Sequence, residues 1–224
     1  MFHDMDDLES NLFQCTQCAL HNNSNHGPTS YNGSPDSPLT IVGEGPGGVE
    51  DEYGVPLIGP SGQLLDKALM SVNITRDHVF TTNIIKCRPK GNRTPTIEEA
   101  NFCANNWLDA ELALVAPKVI IALGSVALKY LDNPGARITK DRGKWFNTKY
   151  NIPAIATYHP AYLLRLTGKQ LVKAKWEVYY DFQAALAKCQ ELVPDYKFKS
   201  DVVPNLLELY QFRKTERFTN KENA

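Results

Sequence analysis

The sequence predicts an α/β fold: a three-layer αβα domain around a central, mostly parallel sheet of four strands. Three observations carry that expectation. Residues 39–42, 79–85, 118–123 and 153–158 are short, continuous apolar runs, the pattern of strands covered on both faces. Stretches of helical periodicity separate them, which gives the strand–helix alternation that builds parallel sheets. No apolar stretch approaches the roughly 18 residues that a membrane span requires.

Residues 5–14 read as a short helix leading into the pair Cys15-x-x-Cys18, and residues 19–37, rich in Asn, Ser, Gly and Pro, as a surface loop. The first strand, 39–42, ends in Gly43. Residues 61–71 place Leu64, Leu65, Ala68 and Leu69 on one helical face. After the second strand, Thr96 and Glu99 form a T-x-x-E capping box that opens a helix running to about residue 115. The third strand, 118–123, leads at Gly124 into a helix reaching residue 131. The fourth, 153–158, feeds the loop His159 to Arg165, and a long helix covers about 169–192. One domain is expected over residues 1–192, with a C-terminal extension, 193–224, partly helical or disordered. There a short helix around 203–212 is expected to pack back, and the last ten residues to be loose.

With 224 residues, 42% of them hydrophobic and 22% charged, the chain can bury one large core. Its net charge of −1 does not advertise a polyanionic partner, but the charge is uneven. Lys86, Arg88, Lys90 and Arg93 fall within eight residues, and Glu44, Glu50, Asp51 and Glu52 within nine. A basic loop beside an acidic one suits a protein that grips phosphates next to a reactive site.

Cys15 and Cys18 put two sulfurs on one tight turn. Cys87 follows a strand, and Cys103 comes after fifteen intervening residues, on a helix. Two close and two distant thiols can complete four-fold coordination of a metal centre or an iron–sulfur cluster. Zinc, disulfides and plain buried thiols are the alternatives. Disulfides need an oxidising compartment, and the first residues lack the basic and apolar regions of a signal peptide, so a reducing cytosol is expected. Cys189, alone on the last helix, reads as a packed or surface thiol.

Open parallel sheets bind ligands beyond the carboxyl ends of their strands. Here the first strand ends in Gly43-Glu44-Gly45-Pro46-Gly47-Gly48, the second at Asn83 beside the basic loop, and the fourth at His159-Pro160. The Gly-rich turn matches neither G-x-G-x-x-G nor the Walker pattern. Singly, a glycine turn, a strand Asn and a lone His are ordinary structural features. Together on one edge, beside a cationic loop and four cysteines, they point to a functional pocket.

These segments resemble the iron–sulfur uracil-DNA glycosylases, family 4 of that superfamily. The matching stretches are C-T-Q-C, G-E-G-P-G-x-x-E-D-x-x-G-x-P, G-P-S-G-Q-L-L-D, T-N-I-I-K-C-R-P-K-G-N-R-T-P, the helix bearing Cys103, V-I-I-A-L-G and Y-H-P-A-Y-L-L-R. They occur in the family's order over about residues 12–188.

The resemblance implies a monomeric, cytoplasmic base-excision-repair hydrolase that removes uracil from single- or double-stranded DNA and leaves an abasic site. It implies that Asn83 reads the base and that His159 donates to the uracil O2 as the glycosidic bond breaks. It further implies that backbone N–H groups of the Gly45-Pro46-Gly47 turn lie near the base and the attacking water, and that Glu44 or Glu50 orients that water or stabilises the cationic sugar. Lys86, Arg88, Lys90 and Arg93 are expected on the DNA backbone, with Leu164 entering the minor groove and Arg165 on phosphate. Cys15, Cys18, Cys87 and Cys103 are expected to hold a 4Fe–4S cluster in a structural role. One departure stands out: Leu57 occupies the place of the family's base-stacking aromatic residue. Either Tyr53 or Tyr158 compensates, or uracil binding weakens, or the pocket takes a 5-substituted uracil. An iron–sulfur DNA-binding protein without glycosylase activity is the reading outside the enzyme class.

Overall fold

The computed structural model describes residues 2–196. The helix expected around 203–212 and the last ten residues lie outside that range.

The four expected strands form the middle of the sheet. They are β2 (Leu39–Gly43), β3 (Phe80–Asn83), β4 (Val119–Leu123) and β6 (Pro153–Thr157), all parallel. Two short strands, β1 (Asn32–Gly33) and β5 (Trp145–Asn147), add antiparallel edges, so the sheet has six strands in the order β1-β3-β2-β4-β6-β5. The four-stranded expectation is thus corrected at both margins. β1 is two residues inside a polar loop, and β5 is largely exposed, so neither offers a run of buried apolar residues.

Strand side chains alternate between two cores. Val42, Ile120, Ala122, Ala154 and Ala156 face one side, while Leu39, Ile41, Val119, Ile121, Leu123 and Ile155 face the other. The first side is covered by α1 (Met5–Leu12), by α4 (Ile97–Cys103) with α5 (Asp109–Val115), and by α6 (Gly124–Leu131). The second is covered by α3 (Pro60–Ser71) and the long α9 (Gly168–Leu192). Three short α-helices complete the described chain: α2 (Gly48–Tyr53), α7 (Ile138–Asp141), whose Ile138 packs on the first core, and α8 (Pro160–Leu163), whose Leu163 belongs to the second. Burial on both faces removes the period-2 polarity of a half-exposed strand, which is why these strands read as unbroken apolar runs. Cys189 points into the α9 core.

The predicted capping box is present. Thr96 Oγ1 accepts from Glu99 N–H at 3.2 Å, and Glu99 Oε2 accepts from Thr96 N–H at 2.8 Å. The helix it opens is not uniform, however: a π-helical turn, Ala104–Leu108, separates α4 from α5.

Candidate active site

β2 and β3 end side by side, with Gly43 paired to Asn83. Beyond them opens a cavity of about 600 Å³, with Glu44, Gly45, Leu57, Tyr158, His159 and Arg165 among its walls. The loop carrying Asn92–Thr94 forms one rim, and the segment from Tyr158 to Arg165 another.

Asn83 is 1% exposed, and neither its Oδ1 nor its Nδ2 has a hydrogen-bond partner among the described residues. A buried amide left unmatched costs free energy, so it marks a place where a ligand supplies the missing partners. Gly43 makes room for it. A Cβ there would come inside 3.0 Å of Asn83 Oδ1 and stand 3.5 Å from Leu57 Cδ1. Asn83 and Leu57 therefore flank the same glycine.

Leu57 is buried and has a left-handed backbone, φ +53°. That conformation is uncommon for a residue with a side chain, and two contacts hold it. Arg76 Nη2 donates to the Leu57 carbonyl at 2.8 Å, and a Cβ on Gly62 would overlap the same carbonyl. Arg76 Nε is in turn held by Asp66 at 2.5 Å. Of the two aromatic residues that could compensate for Leu57, Tyr158 lines the cavity and packs against Tyr162 with ring centroids 4.9 Å apart. Tyr53 packs with Val55 and Ile58 instead.

His159 follows β6 and caps α8. Its Nδ1 accepts from Ala161 N–H at 3.1 Å, which leaves the proton on Nε2. Burial, with Arg165 adding to it, lowers its pKa from 6.5 to about 4, so the imidazole is neutral at neutral pH. Gly124 (φ +84°) lets the chain pass beneath it, since a Cβ there would lie 2.9 Å from the His159 Cβ.

The two candidate carboxylates separate by their surroundings. Glu50 is buried, and its oxygens accept from Gly47 N–H at 3.1 Å, Ile58 N–H at 3.0 Å and Gly59 N–H at 2.8 Å. Those bonds tie the Gly-rich turn to the loop carrying Leu57, so Glu50 braces the site while also lining the cavity. Glu44 is half-buried in the cavity wall, and burial pushes its carboxyl above the ordinary range.

Three of the four expected DNA-contacting cations lie outside the core. Lys90 is exposed. Arg93 is exposed and paired bidentately with Glu99 at 2.7 and 2.6 Å. Arg88 Nε donates to Asn92 Oδ1 at 2.7 Å, and Arg88 also lies 3.7 Å from Asp51. Lys86 does not belong with them. It is 1% exposed, with its Nζ held by Glu111 and Thr82, so the expected phosphate contact is ruled out by burial. Leu164 and Arg165 are exposed beside the cavity.

Cys15, Cys18, Cys87 and Cys103 all carry free thiols and join the core on the α4–α5 side of the sheet. Burial and then the other three sulfurs push Cys87 up, and burial pushes Cys103 up to about 12 against the Lys86 N–H bond. Among the described residues no three His, Cys, Asp or Glu side chains form a group that could hold a metal ion as they stand.

Comparison with known proteins agrees with this geometry. Residues 31–183 match the model of the uracil DNA glycosylase superfamily. The chain is 40% identical to a type-4 uracil-DNA glycosylase of Thermotoga maritima over 171 residues, 75% of this chain and 86% of the relative. It is 37% identical to a type-4 enzyme of Pyrobaculum aerophilum (72% and 85% covered) and 34% to that of Archaeoglobus fulgidus (71% and 83%). The chain belongs to the uracil-DNA glycosylase superfamily.

As a superfamily member the chain shows the expected mixed α/β fold, with a cavity at the carboxyl edge of the sheet. Sequence reasoning passed over Gly43, Arg76 and Glu111. Gly43 had a legible signal, because a glycine closing a strand one residue before a functional turn marks a close approach. Arg76 and Glu111 had none, since their partners are 19 and 25 residues away along the chain.

Proposed function

We propose that this chain hydrolyses the N-glycosidic bond of uracil in DNA, leaving an abasic site for base-excision repair. The observation that carries the reading is the sealed, unpartnered amide of Asn83 on the same sheet edge as a neutral His159. Uracil presents an acceptor at O4 beside a donor at N3–H. One side-chain amide, with Nδ2–H to O4 and Oδ1 to N3–H, matches both, whereas cytosine inverts the pair. The orphaned atoms of Asn83 thereby gain the partners the protein does not give them.

Bond cleavage leaves negative charge on the departing base. The Nε2–H of His159 is oriented for O2, because Nδ1 is occupied by Ala161 N–H, and a donor fixed before the reaction stabilises charge as it develops. A neutral imidazole donates without adding a cation to the ground state. Glu44, a carboxylate of the wall, would orient water toward the sugar or offset its growing positive charge. Leu164 would fill the space left by an extruded base, while Arg165, Arg88, Lys90 and Arg93 meet phosphates.

Cys15, Cys18, Cys87 and Cys103 would hold a 4Fe–4S cluster. Four free thiols on one core and a backbone N–H donated to Cys103 Sγ fit such a group. Its contribution would be structural, tying the N-terminal segment to the loop after β3. The reading is of a monomer working on DNA in the cytoplasm.

The test uses oligonucleotides carrying uracil, thymine or a 5-substituted uracil, incubated with the protein and then treated with alkali. Strand breaks at uracil are expected. Breaks confined to the 5-substituted base would instead favour a retuned pocket around Leu57, and none at all would leave a DNA-binding protein without glycosylase activity. Iron and acid-labile sulfide in anaerobically purified protein test the cluster; absence of both refutes it.

A further inference from the structure

Lys86 was expected on the surface, and its burial gives it another task. Every polar group it carries is engaged. Its N–H donates to Cys103 Sγ at 3.3 Å. Its carbonyl accepts from Thr29 N–H at 2.7 Å and the Thr29 hydroxyl at 3.2 Å. Its Nζ donates to Thr82 Oγ1 at 2.6 Å and to Glu111 at 2.6 and 2.7 Å, and the Thr82 hydroxyl donates to Glu111 at 2.7 Å. The ammonium's three donors are matched, and both charged side chains are at most 1% exposed.

This junction joins four parts of the molecule: the N-terminal segment at Thr29, strand β3 at Thr82, the cysteine site at Cys103 and helix α5 at Glu111. Thr82 and Asn83 are consecutive in β3, so their side chains leave opposite faces of the sheet. Thr82 meets the ion pair, and Asn83 lies beside Gly43 and Leu57, the latter a residue of the cavity wall. The π-helical turn contributes as well. In an unbroken α-helix, Cys103 and Glu111 would stand about 80° apart around the axis. The extra residue in the Ala104–Leu108 turn offsets most of that angle, so both reach Lys86.

We propose that Lys86, with Glu111, is a positioning residue that couples the four-cysteine site to the base-reading amide of Asn83. A buried pair of this kind is rarely retained for stability alone, because apolar residues of similar volume serve as well or better. What it supplies is a fixed position. Displacement of the segment around Cys87 or Cys103 moves Lys86, and through Thr82 it moves the end of β3 on which Asn83 sits. The inference rests on the glycosylase reading given above.

The experiment compares the wild-type protein with Lys86→Met/Glu111→Leu, which replaces the pair by apolar side chains, and with Glu111→Gln. Two quantities are followed: release of iron to a chelator, and single-turnover excision of uracil at saturating DNA. In the double variant, with native circular dichroism, iron release should be at least about tenfold faster and excision at least about tenfold slower, the scale for removing a group that orients metal ligands. The KM for DNA should change far less than the rate. A folded double variant matching wild type in both quantities overturns the proposal. If the double variant does not fold, Glu111→Gln decides: an intermediate loss in both supports coupling, and wild-type behaviour overturns it. Protein that never carries iron also overturns it. Wild-type protein that holds iron yet excises no base refutes the glycosylase reading instead, while iron release still reports on the junction.

Discussion

Gly43→Ala places a single methyl group between the two side chains that define the base pocket. The added Cβ would sit inside 3.0 Å of Asn83 Oδ1 and in ordinary contact with Leu57 Cδ1, so the amide is what must move. The Asn83 side chain has no hydrogen-bond partner among the described residues to hold it back, so its displacement breaks no bond there. The stability loss should therefore stay within the range for overpacking, about 1–3 kcal/mol. Function should suffer more selectively. Two base hydrogen bonds worth about 0.5–1.5 kcal/mol each total about 1–3 kcal/mol. At 1.4 kcal/mol per tenfold, kcat/KM for uracil should fall by about 5- to 150-fold. Single-turnover excision from a uracil-bearing oligonucleotide measures the rate, and thermal unfolding separates it from a folding defect. A folded Gly43→Ala protein that excises uracil at the wild-type rate, with unchanged rejection of cytosine, would refute the assignment of Asn83 as the reader.

Three further outcomes are expected. His159→Ala should slow single-turnover excision by about a hundredfold or more, the scale for losing one preorganised donor. Because folding lowers the His159 pKa from 6.5 to about 4, the unfolded chain takes up this proton first as pH falls. Its share of stability is present above 6.5 and lost between 6.5 and 4, and melting curves of His159→Ala should lack that share. Glu44→Gln should slow the chemical step by about a hundredfold while leaving the melting temperature near wild type, whereas Glu50→Gln should chiefly lower stability, because it weakens three bonds to backbone N–H groups. Leu57→Phe should tighten binding of an unmodified, extruded uracil by at most about 1–3 kcal/mol and impair any 5-substituted substrate, as excision of both bases by both proteins would reveal.

The four parallel strands, the capping box at Thr96 and Glu99, and the edge that carries Asn83 and His159 were legible in the chain itself. Each depends on local rules: continuous apolar runs for strands buried on both faces, a three-residue cap, and the tendency of parallel sheets to bind at their carboxyl ends. The cysteine spacing likewise singled out the four thiols that the fold gathers on one core.

Roles decided by distant partners were not legible. Lys86 shares a short basic run with Arg88, Lys90 and Arg93, and nothing local distinguishes it. Burial beside Glu111, 25 residues on, turns it from a surface cation into part of the interior. Glu44 and Glu50 are both carboxylates in one acidic stretch, and both line the cavity; only the folding of Ile58 and Gly59 onto Glu50 makes one of them a brace as well. Leu57 is held in its left-handed conformation by Arg76, a contact with no trace in either neighbourhood. Sequence dictates which chemical groups the chain possesses and which local elements they join. Which of those groups stay in water, and which are taken up by the protein's own backbone, is decided when the layers close, because burial and pairing depend on atoms far apart along the chain.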